Sequence, residues 1–506
     1  MGNATTFQPI HEPEEERLVL SPVILGGQAI SSTYWSAVGR LGEKGLGVVA
    51  SVILARMLTP EDFGLFGLAS VITGFAAMFS NIGVGSALIH KQDHLKENAS
   101  AAFFMNLLIV ASLAVMMAAL APWAVGFYGE PTVQPLIYVL ASAFFIKSCS
   151  LIHRAYLQKF VRFKRLAIIQ VASAMGYLAI AALLASTGFG VWSIALSIFA
   201  GHAIASILTL RLSDMPLSLE LNWERWGSLF QYGRYLLGGT VAWYLLLNGD
   251  RFLIGKYLGV TALGLYAFAY NYSKLIPETI GPVLYDVMFP TFSALQNDYP
   301  AIRILLLKTT GLLAAVSFAT LGLLIVTADQ FVIVIFGEKW SAAIIPFQIL
   351  LFSALSRTVA TTVSCFFPAI GRPDITFYLS VGTLLLFVFG VWQALAFGLL
   401  YLALVVTFVF GLYQLLMVCL CCRIVELPLR QFAKSVLPAL TASLLAAGTV
   451  YLANSYWLES VSLPNWVILS TLYLGLYTFF VRVLFPMEWR EFVGISREVL
   501  FRFAAR

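Results

Sequence analysis

The sequence predicts an all-α integral membrane protein of fourteen transmembrane helices, built as two parallel six-helix lobes plus two C-terminal helices. Three observations carry that fold class. The 506 residues are 60% hydrophobic and 11% charged, against roughly 45–50% apolar and about 25% charged in soluble domains. The apolar residues fall into runs of about 20 or more, the length at which a helix crosses hydrocarbon with its backbone groups bonded inside the element. The third observation is an internal repeat. Residues 54–69 return 200 positions later as 254–269, pairing Leu58 with Leu258, Gly64 with Gly264, Leu65 with Leu265 and Ala69 with Ala269. Arg56 faces Lys256 and Phe66 faces Tyr266, and a second echo pairs residues 135–143 with 346–354.

In chain order, residues 1–29 form a polar tail containing Glu12, Glu14, Glu15 and Glu16. The tail has no basic start leading into a short apolar run and small-residue cleavage site, so no cleaved signal peptide is expected. Windows of about 19 residues place six spans in an N-lobe, 30–212, near 31–58, 63–89, 100–121, 133–156, 165–186 and 189–211. A cytoplasmic linker, 213–229, carries Trp223-Glu224-Arg225-Trp226, which reads as an interfacial helix with indoles at headgroup level. The C-lobe, 230–424, holds spans near 230–257, 262–289, 303–327, 341–366, 375–395 and 398–422. Spans near 433–453 and 464–484 occupy 425–485, and a basic tail closes the chain at 486–506. Turns such as Thr59-Pro60-Glu61-Asp62 and Thr187-Gly188 leave no room for an extramembrane domain.

Sixteen Lys and Arg residues fall on one side of these spans, among them Arg162, Lys164, Arg165, Arg211, Arg372 and Arg423, and only Arg56, Lys256 and Lys339 on the other. The positive-inside rule then puts both termini and the even-numbered connections in the cytoplasm. Six crossings return the chain to its starting side, so the two copies run parallel about an axis along the membrane normal.

The net charge of +6 suits loops facing an anionic membrane surface, and no basic block with interleaved aromatics points to nucleic acid. The cysteines, Cys149, Cys365, Cys419, Cys421 and Cys422, fit neither a zinc site nor a disulfide framework. No His/Cys/Asp/Glu set has metal-ligand spacing and no phosphate-cradling glycine loop precedes a Lys-Ser/Thr, so neither a metal, a cofactor nor ATP hydrolysis is expected.

Charges inside the spans are the informative residues, because an ionised group near the bilayer centre costs about 2.5–3.5 kcal/mol or more. The first span carries Arg40, Glu43 and Lys44 near its midpoint. At 100° per residue these three share one sector of roughly 100°, as a cavity wall or as an internal cluster tying helices together. The seventh span offers Asp250 and Arg251. Being adjacent, these point about 100° apart, toward either a bridge to the first or second span or a cavity. The eighth places Tyr270, Lys274 and Glu278 on one face, with Pro277 and Pro282 bending it, and a Lys–Glu pair at that spacing neutralises itself. Lys147, in the fourth span, shares a face with Arg154 seven residues on. Asn106, Gln170, His202 and Asp286 stand alone, as interhelical hydrogen-bonding groups or, for Asp286, at an interface position.

The segment Ala55-Arg56-Met57-Leu58-Thr59-Pro60-Glu61-Asp62-Phe63-Gly64-Leu65-Phe66 resembles the first-loop signature of the polysaccharide transporter family within the multidrug/oligosaccharidyl-lipid/polysaccharide exporter superfamily. So do Ile82-Gly83-Val84-Gly85-Ser86-Ala87-Leu88-Ile89, Phe163-Lys164-Arg165-Leu166-Ala167, Gly188-Phe189-Gly190-Val191-Trp192 and the run from Asn248 to Gly259. Each motif is weak alone; their order and spacing across both lobes bring the chain nearest the colanic-acid-exporter-like branch of oligosaccharide flippases. The resemblance implies a V-shaped cavity, alternating access in the bacterial inner membrane, and a polyprenyl-diphosphate-linked oligosaccharide as substrate for lipopolysaccharide or exopolysaccharide export. Membrane lipids, a polysaccharide polymerase and glycosyltransferases are the implied neighbours. No shared catalytic motif carries over. Cations on the first helix and at the start of the second lobe line the cavity of related lipid flippases, and Arg40, Lys44 and Arg251 occupy such places here, with Lys274 beside them. Glu43 and Glu278 offset part of that charge.

On this reading Arg40 and Lys44 hold the diphosphate by charge-assisted hydrogen bonds, Trp35, Trp243 and Tyr270 stack on sugars, and the turns at 59–62 and 259–262 take up the rocking. Coupling to Na⁺, H⁺ or membrane potential is open. The alternatives are a cation-coupled multidrug-type antiporter using Glu43, Asp250 and Glu278, and a membrane glycosyltransferase or polymerase, for which the outer loops are too short.

Overall fold

The computed structural model describes residues 22–80, 95–215, 244–457 and 460–486, with 489, 490 and 494. The Trp223–Trp226 linker motif, Trp243, residues 82–89 and both chain ends lie outside the described residues. Within them every regular element is helical, as lipid requires of a backbone that must bond to itself.

The N-lobe runs α1 (Pro22–Met57), α2 (Pro60–Ser80), α3 (Leu95–Tyr128), α4 (Val133–Cys149), α5 (Leu151–Lys159), α6 (Phe163–Ser186) and α7 (Trp192–Leu212). The C-lobe runs α8 (244–257), α9 (Val260–Ser273), α10 (Leu275–Ala294), α11 (Tyr299–Val326), α12 (Ala328–Phe336), a 3₁₀ turn (Glu338–Ala343), α13 (Ile344–Val359), α14 (Thr361–Ala369), α15 (Pro373–Ala394) and α16 (Leu399–Ile424). Two more, α17 (Leu429–Trp457) and α18 (Leu463–Leu484), pack on α11 and on each other.

Eleven helical segments among the described residues are long and apolar enough to cross a membrane. The expected spans absent from that set are the first, seventh and eighth, which carry Arg40, Glu43, Lys44, Asp250, Arg251, Lys274 and Glu278. The chain is a multi-pass membrane protein.

The repeat is visible in the backbone. Leu58 N–H bonds to Leu54 O and Leu258 N–H to Ile254 O, both at 2.8 Å, before α2 and α9 begin. A capping box starts α2: Asp62 accepts from the Thr59 N–H at 2.9 Å while the Asp62 N–H donates to the Thr59 hydroxyl at 3.2 Å, with Pro60 at the first helical position. Further along the offset becomes 210. The α4/α5 break at Ser150 matches the α13/α14 break at Ala360, and the Arg162 N–H to Leu157 O bond, 2.9 Å, matches Arg372 N–H to Phe367 O, 2.9 Å.

The repeated stretch is where the lobes meet. Helices α2 and α9 cross so closely that a Cβ on Gly64 would lie 2.0 Å from the Val260 carbonyl oxygen. One on Gly264 would lie 1.7 Å from that of Pro60. Each lobe presses its glycine on the other's first helical turn, which is why these identities recur.

The largest buried apolar cluster spans this junction, joining Leu68, Ala69, Leu136 and Ala195 of the N-lobe to Tyr266, Phe268, Trp340 and Phe347 of the C-lobe. Toward the other end the buried clusters of the described residues are separate. Ala99, Met105, Ile152 and Tyr156 serve the N-lobe there, and Phe292, Ile302, Phe366 and Cys421 the C-lobe. Among the described residues, the lobes are therefore fastened at the end that carries the α1–α2 and α8–α9 turns, and the buried clusters farther along belong to one lobe each.

Candidate functional site

The candidate charged residues of the spans lie on α1, α4 and α8 and around the α9–α10 junction. Arg40, Glu43 and Lys44 are all exposed although they sit within a 36-residue helix. Lys44 reaches across to the C-lobe, its Nζ donating to Glu278 O at 3.2 Å and to Thr279 Oγ1 at 3.3 Å. Lys274 pairs with Glu278 at 3.2 Å, with side chains 26% and 52% exposed. An ion pair this wet is worth roughly 0–1 kcal/mol, so a stronger anion can take Lys274 from it. Thus Lys44, Lys274 and Glu278 are brought together from two lobes.

Lys147 is exposed on α4, within electrostatic range of Glu43 and Arg154, and His202 of α7 lies within range of both cations. Lys147 and Arg154 lie on α4 and α5, on either side of a break at Ser150. The carbonyls freed by the break are satisfied locally. Ser150 Oγ donates to Lys147 O at 2.9 Å, Ser206 Oγ to Ile146 O at 2.6 Å and Asn106 Nδ2 to Ser148 O at 2.9 Å. Asn106 is thus an interhelical group, and broken helices inside a membrane need such partners.

Asp250 and Arg251 are buried, at 1% and 9% exposure. Their expected bridge to the first or second span is corrected: both partners lie on α9 of their own lobe. Tyr266 donates its hydroxyl to Asp250 Oδ2, Asp250 Oδ1 accepts from the Arg251 N–H at 2.8 Å, and Arg251 Nη2 donates to Asn271 Oδ1 at 3.0 Å. A buried carboxylate keeps its charge cheaply only with such donors. The Arg251 guanidinium lies 4.9 Å from the Tyr270 ring centroid and Lys274 Nζ 5.3 Å from it. Tyr270 is itself buried, between these two cations and its own helix. Trp35 carries Lys164 at 5.5 Å.

One residue was missed by sequence reasoning. Arg357 on α13 lies within electrostatic range of Lys274 and Tyr270 and 5.8 Å from the Phe410 ring. It stands three residues before the Ala360 break, as Lys147 stands three before Ser150, and Thr361 Oγ1 caps its carbonyl at 2.9 Å. The signal was present, since it is the single charge in residues 341–366.

Three or more His, Cys, Asp or Glu that could hold a metal do not gather anywhere among the described residues. Toward the opposite end, among the described residues, charges pair with one another. Arg162 and Arg165 both bond to Asp214, the latter at 2.7 Å, and hydrogen bonds from Arg165 and Arg162 hold that carboxyl below the usual carboxylate range.

Several known proteins are similar to this chain. The teichuronic acid biosynthesis protein TuaB of Bacillus subtilis (strain 168) is 28% identical over 385 residues, 73% of this chain and 77% of that protein. The lipopolysaccharide biosynthesis protein WzxC of Escherichia coli (strain K12) is 25% identical over 367 residues, 71% and 74%. The succinoglycan biosynthesis transport protein ExoT of Rhizobium meliloti (strain 1021) is 25% identical over 366 residues, 71% and 73%. Among solved structures, the lipid II flippase MurJ in an inward closed conformation superposes with a TM-score of 0.69 at 15% identity, covering 89% of this chain and 98% of that one. An inward-facing MATE family multidrug resistance transporter gives 0.61 at 15% identity, covering 77% and 94%. Both share the fold. The Polysaccharide biosynthesis protein family model matches residues 53–345, more than half of the chain and nearly all of the repeat-to-repeat junction, and the chain belongs to that family.

Proposed function

We propose that this protein is a transporter rather than an enzyme: a flippase that moves a polyprenyl-diphosphate-linked oligosaccharide across the bacterial cytoplasmic membrane by alternating access. The observation that carries this reading is the gathering of Lys44, Lys274 and Glu278 from two lobes whose shared core lies at one end. The relatives named for polysaccharide biosynthesis and transport support it.

A diphosphate bearing several sugars cannot cross hydrocarbon without replacement donors. Lys44 now holds a neutral carbonyl and a hydroxyl, and a phosphate oxygen is the stronger acceptor. Arg40 lies one helical turn from Lys44 and serves the same group, while Lys147, Arg251, Lys274 and Arg357 extend the positive field along both walls. Glu43 and Glu278 keep the empty site from repelling itself. The polyprenyl tail stays in lipid at the gap between the lobes. Fourteen spans, six in each of 30–212 and 230–424 and two beyond, put both termini in the cytoplasm, so the end away from the shared core is the cytoplasmic one. Substrate arrives there after glycosyltransferases complete it, and a polymerase receives it outside.

A deletion strain assayed for lipid-linked oligosaccharide tests the proposal. The glycan accumulates in the inner leaflet if the reading is right, and normal appearance of the glycan in the outer leaflet refutes it. The buried Asp250 with its Tyr266 donor is the one feature that favours a cation-coupled antiporter of small compounds. Efflux of cationic dyes from vesicles, dependent on a Na⁺ or H⁺ gradient, would select that reading.

A further inference from the structure

Arg56, Lys256 and Lys339, the cations on the sparse side of the charge count, all reach into the opposite lobe. Arg56 Nη2 of α1 donates to Val334 O of α12 at 2.8 Å. In return Lys339 Nζ donates to Arg56 O at 2.7 Å, and Trp340 Nε1 to Ala55 O at 2.8 Å. Lys256 Nζ of α8 donates to Phe127 O of α3 and lies 4.7 Å from the Phe127 ring centroid.

Every acceptor is a carbonyl in the last turn of a helix, where four such groups lack an intrahelical partner and a cation is favoured. The pattern is also two-fold. Arg56 and Lys256 are mates in the 200-residue repeat, and the helix ends they cap are equivalent, each followed by a glycine of positive φ, Gly129 at 79° and Gly337 at 102°. Trp340, fully buried, closes the set by stacking on Phe268 of the C-lobe at 4.2 Å and meeting Phe63 of the N-lobe edge-on at 5.1 Å.

We propose that this is a reciprocal clasp, in which each lobe supplies the C-terminal helix caps of the other, and that uncapping is the step by which this end of the transporter opens. The proposal rests on the alternating-access reading. Arg56, Lys256 and Lys339 are exposed, so water can take over their hydrogen bonds as the lobes separate and the clasp re-forms without a trapped buried charge.

The test uses the full chain in phosphatidylglycerol nanodiscs, with its five native cysteines replaced by alanine and spin labels at Thr187→Cys and Ala396→Cys. These exposed positions lie on the α6–α7 and α15–α16 turns, one per lobe, at the clasped end. Dipolar distance measurements compare the otherwise unmodified protein with Arg56→Met plus Lys256→Met, each with and without a polyprenyl diphosphate. The clasp predicts a longer-distance population in the double variant without ligand, enriched about tenfold for each donor lost. Arg56→Lys, which keeps a donor for Val334 O, retains the short distance. An unchanged distribution in the double variant, when the unmodified protein does lengthen with ligand, overturns the clasp and leaves alternating access standing. Failure of both proteins to lengthen under any condition while both still export polymer overturns the alternating-access reading, and the clasp with it.

Discussion

Replacing Gly264 with alanine puts a methyl carbon 1.7 Å from the Pro60 carbonyl oxygen and 3.0 Å from the Gly64 nitrogen. Ordinary contact needs about 3.4 Å, so the two helices must part by roughly 1.5 Å at this crossing. The obstructing atoms are backbone of the first turn of α2, held by the Thr59–Asp62 capping box, and no rotamer change removes them. Overpacking of this kind costs about 1–3 kcal/mol and occasionally more. Because the strain is confined to the inter-lobe junction, it is relieved when the lobes separate there, and about 2–3 kcal/mol shifts that equilibrium by roughly 30- to 150-fold. Gly64→Ala, 2.0 Å from Val260 O, should act in the same direction. Gly448→Ala is the control: nothing lies within 4 Å of its Cβ, and a helical glycine-to-alanine change stabilises by about 0.4–1 kcal/mol. Thermal unfolding in detergent, followed by tryptophan fluorescence, together with the Thr187–Ala396 spin-label distance, reads both quantities. A Gly264→Ala protein with unchanged Tm and unchanged distance distribution would refute the crossing geometry.

Other consequences are separable. Glu278→Gln frees Lys274 from a pair 26% and 52% exposed, so Tm should move by less than the equivalent of about 1 kcal/mol, while binding of a polyprenyl diphosphate, measured by calorimetry, tightens. Asp250→Ala orphans the Tyr266 hydroxyl in a fully buried site and should destabilise by about 1–3 kcal/mol. A double-mutant cycle with Tyr266→Phe should show coupling, with the pair of changes costing less than their sum. Arg357→Ala should impair export about as much as Lys147→Ala, since the two occupy equivalent places before the helix breaks, and polymer yield at matched membrane abundance checks it. Asp214 has its pKa lowered by Arg165 and Arg162, so its contribution to stability is present above the unfolded carboxylate value and is lost as pH falls through the lower folded value. Unfolding scans of the purified protein should show that acid-side loss, and Asp214→Asn should remove it.

How much of this was legible in the sequence depends on the kind of information each residue carries. Hydropathy located the apolar helices because burial in lipid is a property of composition over about 20 residues. The 200-residue echo was legible because a helix crossing as close as that at Gly64 and Gly264 admits no side chain, so the same residue had to be used twice. Helical periodicity placed Tyr270, Lys274 and Glu278 on one face, and the Lys274–Glu278 pair formed as its spacing required.

Partners from another helix were not legible. A 100° step says where Asp250 points and nothing of what lies opposite, and the answer, Tyr266, is marked in the sequence only by its match to Phe66. The breaks at Ser150 and Ala360 leave no mark in hydropathy, because Ser150, Ser206, Asn106 and Thr361 meet the freed carbonyls from within otherwise apolar runs. Arg56, Lys256 and Lys339 entered the charge count only as exceptions, although their positions at the ends of facing helices make them the groups that hold the lobes together.

The flippase reading stands most directly on the cations of α1. Polymer export should be measured in cells carrying Arg40→Ala plus Lys44→Ala, with membrane abundance quantified in the same samples. The account predicts loss of export at normal abundance. Export at the unmodified level would contradict it.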